Sequence, residues 1–286
     1  MLYRRRATPL HVVRAGVGCA WCAALALAAL VCADPIVLGA VCVAILAAGA
    51  CAGCGRELGR ALRLAFGVAV AVLVVNAIVT REGLTVIWRM GEAPVLGQID
   101  VTLEATVYGA VLGLRAMALI LCGVLYTVAV DPDEVLRLMR RVSYRSALSA
   151  TLATRLVPVL ARDARRLADA QRCRPGRPPS RVALLRAASS GVLDRALDVA
   201  AALEVRGYAG ARRPARVRRP VSRQDVAFGA GAAAIAGCAV AGRIAGWASL
   251  RAYPLLHVPA GPGTWACAAC LLAAGLAPCL VRRGVG

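Results

Sequence analysis

Residues 161–208 read ARDARRLADAQRCRPGRPPSRVALLRAASSGVLDRALDVAAALEVRGY, an arginine-rich stretch set between long apolar runs. Its periodicity is that of two amphipathic helices joined by a Pro/Gly-rich break. In a helix over 156–174, Val157, Leu160, Ala161, Ala164, Leu167, Ala168 and Gln171 fall on one face at i, i+3, i+4 spacing. Arg162, Asp163, Arg165, Arg166, Asp169 and Arg172 fall on the other, and Pro158 bends the start. A second helix over 192–206 repeats the pattern, with Leu193, Ala196, Leu197, Ala200 and Leu203 apolar, and Asp194, Arg195, Asp198, Glu204 and Arg206 polar. Each helix stops at an arginine beside a breaker. Arg174 precedes Pro175-Gly176, and Arg206 precedes Gly207, which suits the position just past a helix end. Pro214 and Pro220, among the arginines of 212–219, close the helical region.

Outward from this stretch, the chain is apolar. Of 286 residues 60% are hydrophobic, and the mean hydropathy is +0.69. A soluble globule is usually nearer half apolar or below. Apolar runs fall at 17–33, 36–52, 64–79, 105–130, 226–250 and 264–281. Several are long enough to cross a bilayer, and the second and third are short. The fold class expected is all-α: a polytopic membrane protein of about six transmembrane helices, plus two long amphipathic cytoplasmic helices. Three segments follow: transmembrane helices over 1–130, a cytoplasmic arginine-rich region over 131–224, and a C-terminal transmembrane hairpin over 225–286.

Asp34-Pro35 reads as a tight turn between the first two runs, which favours a helical hairpin over a cleaved signal peptide ending at Val31-Cys32-Ala33. Arg56, Glu57, Arg60 and Arg63 mark a charged turn. Residues 80–104 read as a non-cytoplasmic loop with a short interfacial segment around Val86 to Trp88. Asp131-Pro132-Asp133-Glu134 is a helix start: Asp131 at the N-cap, Pro132 at the first helical position, Glu134 placed for a capping box. Arg243 interrupts the fifth run. Arg115 lies inside the fourth, where a charge is costly; it snorkels, pairs with a neighbouring helix, lines a polar seam or touches substrate.

The chain carries 35 basic residues against 15 acidic, a formal net charge of +20, and every basic residue is arginine. With runs of this length the positive-inside effect is the first explanation. Both arginine-rich ends, the turn at 56–63 and the segment 131–225 all fall on the cytoplasmic side of one orientation, and the other loops are poorer in arginine. Aromatic residues make up only 4%, which with the location argues against a nucleic-acid partner. Of twelve cysteines, six form the C-x-x-C pairs Cys19/Cys22, Cys51/Cys54 and Cys267/Cys270. All lie in or beside Ala-rich apolar runs, where cysteine packs as a small hydrophobe. There is no HExxH and no Walker-type GxxxxGK[ST]. The spans offer almost no carboxylates for a membrane hydrolase, and no convincing internal repeat for a self-contained carrier.

Two uses of the arginine helices remain. They can lie on anionic lipid, at about 1 kcal/mol for each arginine near the surface. They can instead dock on a cytoplasmic protein. Stopping at an arginine next to Gly or Pro leaves one long cation at a fixed tip, suited to an acidic groove, where the planar guanidinium holds a carboxylate bidentately.

At these residues the chain resembles the transmembrane T component of energy-coupling factor (ECF) transporters, the family that includes the membrane subunits of cobalt and biotin uptake systems. Thr8-Pro9-Leu10-His11 looks like the family's S/T-P-L-H start. Thr102-Leu103-Glu104-Ala105 with Tyr108-Gly109 and Gly113-Leu114-Arg115 looks like its T-x-E-x-x-x-Y-G…G-L-R stretch, and Asp131-Pro132-Asp133-Glu134 like its D-P-D-E. Ala170-Gln171-Arg172-Cys173-Arg174 is similar to the A-Q-x-A-R-G that ends the first coupling helix, and Leu203-Glu204-Val205-Arg206-Gly207-Tyr208 to the motif ending the second. One departure matters: Pro175 stands where the family has glycine, and proline disfavours α geometry at Arg174. The resemblance implies a non-catalytic subunit without a cofactor or bound metal. It implies docking on two ABC-type ATPases through Arg174, Arg206, Gly207, Glu204 and Gln171. It also implies that Leu160, Ala164, Leu167, Leu193, Leu197 and Ala200 pack against a small membrane S component that binds a vitamin or metal ion. The alternative is a self-contained transporter or a lipid-interface protein.

Overall fold

Three of the helices begin where a neighbouring side chain supplies an acceptor for their first N–H groups. The structure is a computed structural model, and it describes residues 8–80, 86–93, 97–139, 143–173, 181–207, 221–247 and 261–280. In chain order the elements are α1 (Pro9–Val12), α2 (Ala15–Val31), α3 (Pro35–Cys51), α4 (Gly55–Val79), β1 (Val86–Ala93), β2 (Gly97–Thr102) and α5 (Leu103–Ala129). There follow α6 (Pro132–Met139), α7 (Tyr144–Arg172), α8 (Arg181–Val205), α9 (Arg223–Ile244) and α10 (Pro262–Leu280). Asp34 caps α3, accepting the Ile36 N–H at 2.8 Å with Pro35 in the first turn. Thr102 caps α5, and Ser222 with Asp225 forms a reciprocal capping box on α9.

The chain forms two compact units, Met1–Val135 with Val221–Gly286, and Leu136–Pro220. The first is a polytopic helical body that carries one two-stranded ribbon. Its α4, α5, α9 and α10 are each long and apolar enough to cross a membrane. α2 and α3 are apolar but only 17 residues each, about 26 Å of helix and at the lower limit for a span. α2 packs against α9 and α5, α3 against α10 and α5, and α4 along α5. At the centre Trp21 of α2 is fully buried and meets Phe228 of α9 edge-to-face, ring centroids 5.5 Å apart and planes at 78°.

The α4–α5 pair is drawn together by Gly109 and Gly113, one turn apart on α5. A Cβ on Gly113 would stand 2.6 Å from the Ala69 carbonyl oxygen, and one on Gly109 3.1 Å from that of Leu73. This is the small-xxx-small spacing that lets membrane helices approach backbone to backbone.

Several boundaries differ from the expectations. Within the loop expected over 80–104 the described residues include two strands: β1 and β2 pair antiparallel, Val86 opposite Thr102 and Trp88 opposite Val101, and β2 leads straight into α5. A ribbon lets this backbone satisfy its own N–H and C=O groups. The charged residues Arg56, Glu57, Arg60 and Arg63 are no turn but the opening turns of α4. α7 starts at Tyr144 and carries Pro158 in its interior, and α8 starts at Arg181. Arg243 does not interrupt a longer span. It sits in the last turn of α9, which ends before Gly246 at φ +78°, and a cation there favours the free carbonyl end of the helix.

Candidate functional site

The second unit is built from the two arginine helices. Arg195 of α8 makes an ion pair with Asp163 of α7. On α7 Leu160, Ala164, Leu167, Ala168 and Gln171 of the expected stripe are half-buried, whereas Val157 and Ala161 are exposed, and Asp163, expected on the polar face, is half-buried with the stripe. On α8, among the described side chains, the half-buried residues are Arg195, Val199 and Leu203, spaced one turn apart. This shifts the expected face. Arg195, read as outward, belongs to the packed stripe because Asp163 supplies its counter-charge. Leu193 and Leu197 are each 63% exposed, and Ala200 is exposed as well. The structure thus leaves an apolar stripe of α8 uncovered beside the stripe that packs.

The end of α8 has defined geometry. The helix stops at Val205, the Arg206 N–H donates to the Ala202 carbonyl at 3.2 Å, and Gly207 turns left-handed at φ +72°. The Gly207 N–H donates to the Glu204 carbonyl at 2.8 Å, one of the two bonds of a Schellman-type stop. Glu204, Val205 and Arg206 are all exposed at that stop. α7 ends at Arg172 with Cys173 as its cap, and Gln171, the residue before the last, is half-buried. Arg174, Pro175 and Gly176 lie outside the described residues, as does Tyr208.

The other motifs fall in the first unit. Thr8-Pro9-Leu10-His11 forms the turn of α1, with the Thr8 hydroxyl and His11 Nδ1 2.6 Å apart. Arg115 pairs with a neighbouring helix. Its Nε donates to the Ala29 carbonyl and its Nη2 to the Cys32 carbonyl, both at 3.1 Å. These are C-terminal carbonyls of α2, left open where the α2–α3 turn interrupts the helix, and a guanidinium satisfies them while matching the negative end of the dipole. Glu134 does something the sequence did not disclose. Its carboxylate accepts the Ala15 N–H of α2 at 3.1 Å, while Asp131 takes the capping bond of α6 from the Asp133 N–H. Among the described residues no group of three or more His, Cys, Asp or Glu side chains is placed to hold a metal ion. The described cysteines are all free thiols.

The cobalt transport protein family, CbiQ, matches residues 6–216, about three quarters of the chain. The chain belongs to that family. This CbiQ-family chain is accordingly a membrane component of transport, in keeping with its four spanning-length helices. The match runs from before α1 to beyond α8, so it takes in both arginine helices, and it stops short of α9 and α10. No curated protein matches the chain.

Proposed function

We propose that this chain is the coupling subunit of an ECF-type importer, a non-catalytic membrane protein between two cytoplasmic ABC-type ATPases and a small S component that binds the cargo. The cargo is a micronutrient, cobalt ion or a vitamin. Both termini and the 136–220 unit face the cytoplasm, by the distribution of arginine. The observation that carries the reading is the stop of α8. Arg206 is exposed at a helix end fixed by the left-handed Gly207, with Glu204 beside it. A long cation held at a rigid tip suits an acidic groove in an ATPase, and Arg174 and Gln171 are given the corresponding docking part by the resemblance of their motif.

The uncovered stripe Leu193, Leu197 and Ala200, with Leu160, Ala164 and Leu167 of α7, is assigned to the S component. Closure of the ATPases on ATP draws the two tips together, tilts the S component and opens its cargo site inward. The test is Arg206→Glu in a chain co-expressed with its ATPases. Reversing the charge at the tip should lower co-purification of the ATPases by about tenfold or more, since truncating one partner of a buried charged pair costs about 2–5 kcal/mol. Amount and insertion of the chain in the membrane should not change. Undiminished co-purification refutes the docking role, and a chain that purifies alone from the start favours the lipid-surface alternative.

A further inference from the structure

We infer that the N-terminal turn of α2 is the point at which motion of the 136–220 unit enters the membrane body, through a clasp formed by Glu134 and Asp225. The inference rests on the coupling role proposed above. The unit leaves the membrane body after Val135 and returns at Val221. Each junction carries a carboxylate within a few residues, and both carboxylates hold the same helix end. Before the unit, Glu134 of α6 accepts the Ala15 N–H at 3.1 Å. After it, Asp225 of α9 accepts the Arg14 N–H at 2.9 Å through Oδ1, and its Oδ2 stands 3.3 Å from the Arg14 Nε. Asp225 is buried, and it is also the closing member of the α9 capping box, accepting the Ser222 N–H at 3.1 Å. One carboxylate therefore ties together the start of α9 and the start of α2.

Neither bond arises from local sequence. Glu134 is 119 residues from Ala15, and Asp225 is 211 residues from Arg14. A helix needs acceptors for its first N–H groups, and Ser, Thr, Asp or Asn at the N-cap usually supplies one from the same segment. Here the N-cap is Arg14, whose side chain makes no capping bond. The acceptors come instead from the two segments that flank the cytoplasmic unit, with the negative charge that the helix end favours. α2 is also tied to both α9 and α5. Its Trp21 is packed on Phe228 of α9, the Cys122 thiol of α5 donates to the Cys22 carbonyl at 3.2 Å, and Arg115 of α5 holds its other end. A helix packed along one side and pinned at its first turn passes on a pull at that turn, whereas a frayed one absorbs it. Glu134 and Asp225 are thus positioning residues for coupling, separate from the docking tips.

The test is hydrogen exchange on the full complex of this chain with its ATPases, with and without a non-hydrolysable ATP analogue. In the unaltered complex the nucleotide should change exchange at the Arg14 and Ala15 amides as well as in α7 and α8. In Glu134→Gln and Asp225→Asn the exchange of those two amides should rise by about tenfold, the factor for losing one charge-assisted bond, and should no longer respond to nucleotide. Ser222→Ala, which removes only the α9 hydroxyl cap, should leave the response intact. Nucleotide-sensitive exchange in α7 and α8 with none at Arg14 and Ala15 overturns the inference, even if the variants fold poorly. So does a response that survives both carboxamide substitutions. ATPases that fail to assemble with the unaltered chain overturn the coupling role itself, a different failure.

Discussion

Gly113→Ala tests the architecture of the membrane body with one methyl group. The added carbon would lie 2.6 Å from the Ala69 carbonyl oxygen and 3.2 Å from the carbon atoms behind it. Even a close C–H···O contact keeps carbon and oxygen about 3.3 Å apart, so α4 must retreat by about 0.7 Å. The atom it meets is backbone, so no side chain can swing aside. Overpacking of this kind costs about 1–3 kcal/mol. Alanine also favours helix over glycine by up to about 1 kcal/mol, which blurs a comparison with the unaltered chain. Gly123, ten residues on in the same helix, has nothing within 4 Å of its would-be Cβ and supplies the control. Gly123→Ala has the same propensity gain and no clash, so the difference between the two variants isolates the packing at about 1–3 kcal/mol. Thermal unfolding in one mild detergent should then place Gly113→Ala about 2–10 °C below Gly123→Ala. Gly109→Ala, with its nearest atoms at 3.0–3.2 Å, should fall between them. Equal melting temperatures, or a Gly113 variant that melts higher, would refute the close approach of α4 and α5.

Other perturbations probe the tips and the turn of α2. Gly207→Ala has open space around its Cβ but must adopt φ +72°, so α8 should end less cleanly at a cost of about 1–2 kcal/mol; ATPase co-purification should weaken, and loss equal to that of Arg206→Glu would contradict a purely geometric part for the glycine. Arg115→Met should lower the melting temperature more than Arg115→Lys, because lysine keeps a donor for the Ala29 and Cys32 carbonyls; equal losses would mean that charge rather than these bonds matters. Cys173 is exposed, as are Cys51 and Cys270, so in a chain with those two replaced by alanine a membrane-impermeant maleimide should label Cys173 in inside-out vesicles and not in intact cells; labelling from outside would reverse the orientation. Arg174→Ala should cost less docking than Arg206→Ala, because Pro175 disfavours helical geometry at Arg174; equal losses of ATPase binding would remove that distinction.

What the sequence disclosed was mostly local. Asp34-Pro35 identified the α2–α3 turn, and the structure places the Asp34 cap where a turn of that kind needs it. Asp131-Pro132 marked the start of α6, and Gly207 marked the stop of α8. The start of α9 was equally legible in Ser222-Arg223-Gln224-Asp225, a capping-box signature overlooked because hydropathy places the apolar run later. The ribbon β1–β2 was hidden because apolar periodicity says little about a mixed segment whose order comes from strand pairing. The early start of α7 was hidden by Pro158, read as a bend near the start of a helix from 156, whereas the helix begins at Tyr144 and runs through it. The partners of Arg115, Arg195 and Glu134 depend on helices that meet only in three dimensions, and residue type alone left them open.

The central claim is that this CbiQ-family chain acts only in company. The direct measurement is affinity purification of the chain from its native membrane in mild detergent, with identification of every protein that comes with it. The account predicts ABC-type ATPases carrying Walker motifs together with a small hydrophobic protein, whose ligand would name the cargo. The chain recovered alone from fully solubilised membranes would contradict it and leave the exposed tip of α8 to the lipid surface.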